Sequence, residues 1–226
     1  MPARAGCESA YFFLLGLSSG LALLMMTAFR RITPGWLRGL LLASGSFVIS
    51  RYLAMATFAN AARPDAVWPW HYCWFATSLA IPLQTAFAMD QLIRHPGMTA
   101  KTVLLRFSPW LAAYAAIILF GRMEAAPDRV VGWSVHLAPG WQWLLAAAHA
   151  TFVLAVVSLV AMVARRLPSP PIRLALWGLA ASQLLLALDG ILAWLGHWSF
   201  HPSLYSEAFA LVALWYAYDT ASRAAF

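Results

Sequence analysis

Along the chain, apolar runs long enough to cross a hydrocarbon layer as helices alternate with short polar breaks. The pattern predicts seven spans, near residues 10–29, 36–59, 71–93, 103–120, 141–164, 172–195 and 204–222. The breaks read RRITPGW, NAARPDAVWPW, RHPGMTAK, GRMEAAPDRVVGW, RRLPSPPIR and GHWSFHPS, where Pro, Gly and charge interrupt the apolar pattern. The fourth run is the shortest, and a re-entrant fourth segment gives six spans instead. The expectation is an all-α, polytopic membrane protein: a bundle of seven transmembrane helices forming one integral-membrane domain over residues 1–226.

Composition supports that class. Of 226 residues, 62% are hydrophobic and 10% charged, too little polar surface for a soluble domain to cover itself. The lipid bilayer is therefore an expected partner. The first apolar run lacks a small-residue cleavage site, so no secretory signal is expected. With no soluble extension, kinase, cyclase or nucleotide-binding work is expected to need another polypeptide.

The basic residues predict an orientation. Arg30, Arg31, Arg38, Arg94, Lys101, Arg106, Arg165, Arg166, Arg173 and Arg223 fall on one side, against Arg4, Arg63, Arg122 and Arg129 on the other. That bias puts the N-terminus outside and the C-terminus in the cytoplasm. High Ala, Arg and Trp usage fits a multi-pass protein of a cell inner membrane. The net charge of +7 is scattered over short loops, which argues against a nucleic-acid partner.

Within the predicted spans, ionisable groups recur at similar depth. At a rise of about 1.5 Å per residue, Arg51 lies roughly 12 Å in from the outer end of the second helix, Asp189 about 9 Å in on the sixth, His149 about 12 Å in on the fifth and Glu207 about 5 Å in on the seventh. A charge at mid-membrane costs about 3 kcal/mol or more unless it faces the bundle and finds a partner. Arg51 is thus expected to pair with Asp189 or Glu207, with His149 nearby, in an outward-open polar pocket. A buried pair that only fixes helix register is the structural alternative.

A polar stripe extends the pattern. Cys73, Thr77, Gln84 and Gln91 recur at helical spacing on the third run. Ser44 shares a face with Arg51, as Ser182 does with Asp189. Small polar residues often serve only as interhelical glue, but the amide of Gln84 needs several partners.

His71, His136, His149, His197 and His201 fall on the outer side or outer half. His71, His197 and His201 are candidate metal ligands, with Cys73 and Glu207 at similar level, although Pro202 opposes a helix from 197 to 201. Cys7 and Cys73 both fall on the outer side, where an oxidising compartment permits a disulfide. The twelve tryptophans cluster near both predicted boundaries as an aromatic belt.

Arg51-Tyr52-Leu53-Ala54-Met55 on the second span and His71-Tyr72-Cys73-Trp74 with Thr77 on the third resemble microbial rhodopsins in two short patches. That family attaches retinal to a lysine on its last helix. The single lysine here, Lys101, is expected in a loop rather than on the last helix, and Asp219-Thr220-Ala221-Ser222-Arg223 offers an arginine, which forms no Schiff base. No relationship is drawn from these patches, and the cofactor is left unknown.

The chain contains no P-loop, GxSG, HExxH, CxxC or DxxxD pattern, which weakens enzyme readings. The favoured expectation is a protein that binds or transports a small ligand through the polar pocket. Arg51 would hold an anionic group, Asp189 and Glu207 would couple protons or bind a cation, and Gln84 would continue the path inward. A protonation mechanism favours Asp189. The alternatives are an accessory or sensory subunit of a larger membrane complex and a metal-dependent membrane-embedded hydrolase, and the candidate partners besides lipid are a small-molecule ligand and a protein partner or homo-oligomer.

Overall fold

The computed structural model describes residues 2–94, 97–128, 131–194 and 203–224, the side chains of residues 2–7 and 193–194 excepted. Its helices are α1 (Pro2–Ala28), α2 (Gly35–Asn60), α3 (His71–Trp74), α4 (Ala76–Ile93), α5 (Ala100–Phe120), α6 (Pro139–Val163), α7 (Pro170–Trp194) and α8 (Ser203–Arg223). Short 3-10 turns cover Phe29–Arg31, Pro64–Trp70 and Ala164–Arg166. Local chemistry marks several starts. Pro139 and Pro170 stand at the first position of α6 and α7, where the missing N–H costs nothing. Thr99 caps α5, its hydroxyl accepting the Thr102 N–H at 3.3 Å.

Among the described residues, five helical segments are long and apolar enough to cross a membrane: Glu8–Arg31, Gly35–Asn60, Ala100–Phe120, Pro139–Arg166 and Pro170–Leu192. The two remaining long helices, α4 and α8, interrupt their apolar sequence with Thr77, Gln84, Thr85, Asp90 and Gln91, and with Ser206, Glu207, Asp219 and Thr220. They are also the most enclosed. Twelve of the 18 residues of α4 and twelve of the 21 of α8 are buried, against four of 25 in α6. Helix α8 packs on α7, α1 and α4, while α4 packs on α8, α2 and α5. The neighbouring helices therefore surround the polar pair, and polar side chains persist there because they face protein.

Side-chain contacts fix the relative directions of these helices. Arg51, nine residues before the end of α2, meets Glu207 and Ser203 at the start of α8 and lies in the same cluster as Thr77 at the start of α4. At the opposite end, Arg94 takes a left-handed conformation (φ 47°) after α4. Its guanidinium donates to the carbonyls of Ala221 (2.7 Å) and Ala224 (3.0 Å), closing the last turn of α8. Helices α4 and α8 run parallel, and α2 runs opposite to both. These two levels are termed below the Glu207 end and the Arg94 end.

Two sequence expectations change. The run 71–93 is not one helix: it breaks at Phe75 (φ −102°, ψ 18°), whose carbonyl accepts the Ser78 N–H and starts α4. The one-turn α3 is held by Trp74, whose ring packs edge-on against Phe58 of α2 at 5.5 Å. The polar stripe is interrupted there, with Cys73 before the break and Thr77 after it. The second change is in the break GRMEAAPDRVVGW, which forms an antiparallel hairpin of β1 (Met123–Pro127) and β2 (Trp133–Leu137) with Ala125 opposite Val135. It buries Val131, Val135 and Leu137 and sits on the end of α2. Gly132 (φ 39°) permits that approach, because a Cβ there would lie 2.3 Å from the Ala59 carbonyl oxygen.

Candidate functional site

The polar interior divides into two groups, both organised by α4. The first lies at the Glu207 end. Arg51 of α2 forks onto Glu207 of α8, Nη2 to Oε1 at 2.8 Å and Nε to Oε2 at 3.2 Å. Nη2 also donates to Ser203 Oγ at 3.0 Å, and Thr77 Oγ1 of α4 donates to Glu207 Oε1 at 3.1 Å. Arg51 is 5% exposed and Glu207 2%.

Taking both charges from water costs several kcal/mol per ion, so this pair persists only because the fork is bidentate and hydroxyls bind both partners. Helical position explains the convergence. Thr77 is the second residue of α4 and Glu207 the fifth of α8, so two parallel helices bring residues near their starts to the ion pair. Two further hydroxyls adjoin the cluster. Ser18 of α1 and Tyr52 of α2 are buried, and Tyr52 Oη lies close to Glu207 and Ser18 without meeting either in hydrogen-bond geometry.

The second group lies deeper along α4. Gln84 Nε2 donates to Ser44 Oγ of α2 at 2.9 Å, and the main-chain carbonyl of Gln84 accepts the Tyr218 hydroxyl of α8 at 2.7 Å. On the other face of α4, Gln183 Nε2 of α7 donates to Thr85 Oγ1 at 3.0 Å. Both amide side chains are fully buried, and each leaves its Oε1 without a hydrogen-bond partner among the described residues. His149 of α6 shares a 3.2 Å hydrogen bond between Nδ1 and the Tyr114 hydroxyl of α5. Its Nε2 is buried without a hydrogen-bond partner among the described residues.

Of the residues singled out from sequence, the structure joins Arg51, Glu207 and Thr77. Asp189 is half-buried and stands beside Ser206, one residue before Glu207, outside the arginine fork. His149 and Gln84 belong to the deeper group. Ser182 turns its hydroxyl back onto its own helix, donating to Leu179 O, so Gln183 supplies the polar link on α7. That residue, with Ser203, Tyr52, Thr85, Tyr114 and Tyr218, escaped the sequence reading; an amide inside the apolar run AASQLLLAL was the available signal for Gln183.

His71 contacts Trp68 through both its ring face and its Nδ1. Its ring stacks on Trp68 at 4.5 Å and its Nδ1 hydrogen-bonds the Trp68 carbonyl. His197 and His201 lie outside the described residues, as does the side chain of Cys7, while Cys73 is a free thiol. Among the described residues, no three His, Cys, Asp or Glu side chains gather as a metal-binding group.

No protein-family model matches the chain, and no curated protein matches it. The geometry alone indicates what the arrangement can do. The Arg51 guanidinium and the Thr77 hydroxyl donate to one carboxylate, that of Glu207, while Ser203 Oγ accepts from Arg51.

Proposed function

We propose that the protein is a seven-span membrane bundle, N-terminus outside and C-terminus cytoplasmic, that binds a small monocarboxylate at Arg51 and couples its movement to a proton on Glu207. In this reading α4 and α8 are the two central spans, shielded from lipid by the others, and the Glu207 end faces outward. An inner membrane fits the basic bias.

The observation that carries the reading is the bidentate Arg51–Glu207 contact with its two hydroxyls. The donors already match the two oxygens of a carboxylate, so the competitor most able to replace Glu207 is another carboxylate. Both cannot remain charged on one guanidinium without strong repulsion. Protonation of Glu207 releases Arg51; the incoming anion then takes the fork, with Thr77 and Ser203 supplying the remaining hydrogen bonds. Loss of the proton from Glu207 expels the anion. The deeper amides, Gln84 and Gln183, continue the polar track toward the Arg94 end.

The test is thermal unfolding of the purified protein at pH 5 and pH 7 with formate, acetate, lactate and pyruvate. A ligand that binds only the native state stabilises it by mass action. At least one acid is expected to raise the midpoint, more at pH 5, with the effect lost in Arg51→Gln. Indifference to all four acids at both pH values would speak for the accessory-subunit reading, in which the ion pair is structural.

A further inference from the structure

At the Arg94 end, away from the carboxylate site, α2 and α5 both pack against α4 without packing closely on each other. Between them runs a groove of about 440 Å³, lined by Trp36, Lys101, Leu104, Leu105 and Ser108. Its walls are almost wholly hydrocarbon. Leu105 is 73% exposed and Trp36 41%, and the Ser108 hydroxyl is already donated to the Leu105 carbonyl at 2.7 Å.

Only one charged group lines it. Lys101 is the single lysine of the chain and the second residue of α5. Trp36 is likewise the second residue of α2, so the charge and the indole share one level at the mouth. Neither helix has an acidic residue in its first turn, which leaves the positive ends of both helix dipoles without a neutralising side chain. Exposed Arg38 and Arg106 add to the positive field. From Lys101 the groove follows α5 to Ser108, about 10 Å at the rise of a helix.

We propose that this groove binds an anionic phospholipid of the surrounding membrane, with its phosphate at Lys101 and an acyl chain along Trp36, Leu104, Leu105 and Ser108. The inference rests on the membrane reading but not on the carboxylate chemistry. An open apolar groove with a cation and a tryptophan at one level matches a lipid, which carries its charge at one end of a hydrocarbon chain. A free phosphate would leave the apolar wall unused.

The experiment is native mass spectrometry of the full chain released from nanodiscs holding equal phosphatidylglycerol and phosphatidylcholine. The wild type is expected to retain phosphatidylglycerol preferentially. Lys101→Gln is expected to weaken retention about fivefold, the effect of one basic residue near a lipid surface. Lys101→Arg should restore it, and Ser108→Trp, which fills the apolar end, should abolish it. Arg223→Gln, an exposed position paired with Asp219 on α8, serves as the unchanged control. Equal retention of the two lipids, or no response to Lys101→Gln, would overturn the proposal. So would a lipid-free dimer, which would identify a second copy of the chain as the occupant.

Discussion

Glu207 and Asp189 are carboxylates on adjoining helices, yet their surroundings differ in kind. Glu207 is 2% exposed, accepts two hydrogen bonds from one guanidinium and a third from Thr77, and lies at the junction of α2, α4 and α8. Asp189 is half-buried on α7, its neighbour a serine, with no arginine bound to it among the described residues. The difference shows that depth along a helix does not decide which acid pairs with Arg51. The deciding factor is which side of the helix faces the arginine.

The sharpest way to break this comparison is to remove one member of the fork. Glu207→Ala leaves Arg51 buried and uncompensated and is expected to cost about 3–5 kcal/mol, measured by reversible unfolding in mixed micelles. A cost near zero would mean that Arg51 finds other partners. Removing both charges, as Arg51→Met with Glu207→Leu, is expected to recover most of that loss, because an apolar replacement of a buried pair is often neutral or better. A double variant that is stable but blind to monocarboxylates would separate function from folding.

Asp189→Asn is expected to cost about 1 kcal/mol or less, and to leave any response to monocarboxylates unchanged. The smallest effect belongs to the deeper group. Gln84→Met loses the bond to Ser44 Oγ but also removes an unpartnered buried oxygen, and the opposing contributions should leave stability within about 0.5 kcal/mol of wild type. A larger loss in the same unfolding assay would show that Oε1 of Gln84 does have a partner in the native protein.

These contrasts also show what was legible from residues alone. Helix positions followed from long apolar runs and Pro-containing breaks, and the bounds of α2, α5 and α8 lie close to those expected. The partner of Arg51 was narrowed to two acids because both lay at compatible depth. Choosing between them required the azimuth of each side chain. Helices that are apolar on nearly every face give little periodic signal from which to read it. The same lack hid Gln183 beside Ser182, one residue and about 100° around α7.

The break at Phe75 and the hairpin after α5 were missed for other reasons. A one-turn helix preserves the apolar run across the break. The β1 sequence MEAAP has little strand propensity of its own, so the hairpin depends on β2 and on docking against α2. The central placement of α4 and α8 was partly legible, since a helix with glutamine or glutamate within it is best sheltered by others.

The most direct test of the central claim is infrared difference spectroscopy of the protein on adding lactate near neutral pH, with Glu207→Gln and Asp189→Asn as references. Lactate binding is expected to convert one buried carboxylate to its protonated form. That signal should be absent in Glu207→Gln and intact in Asp189→Asn. Lactate binding that leaves every carboxylate ionised, or a signal that disappears with Asp189 and not with Glu207, would contradict it.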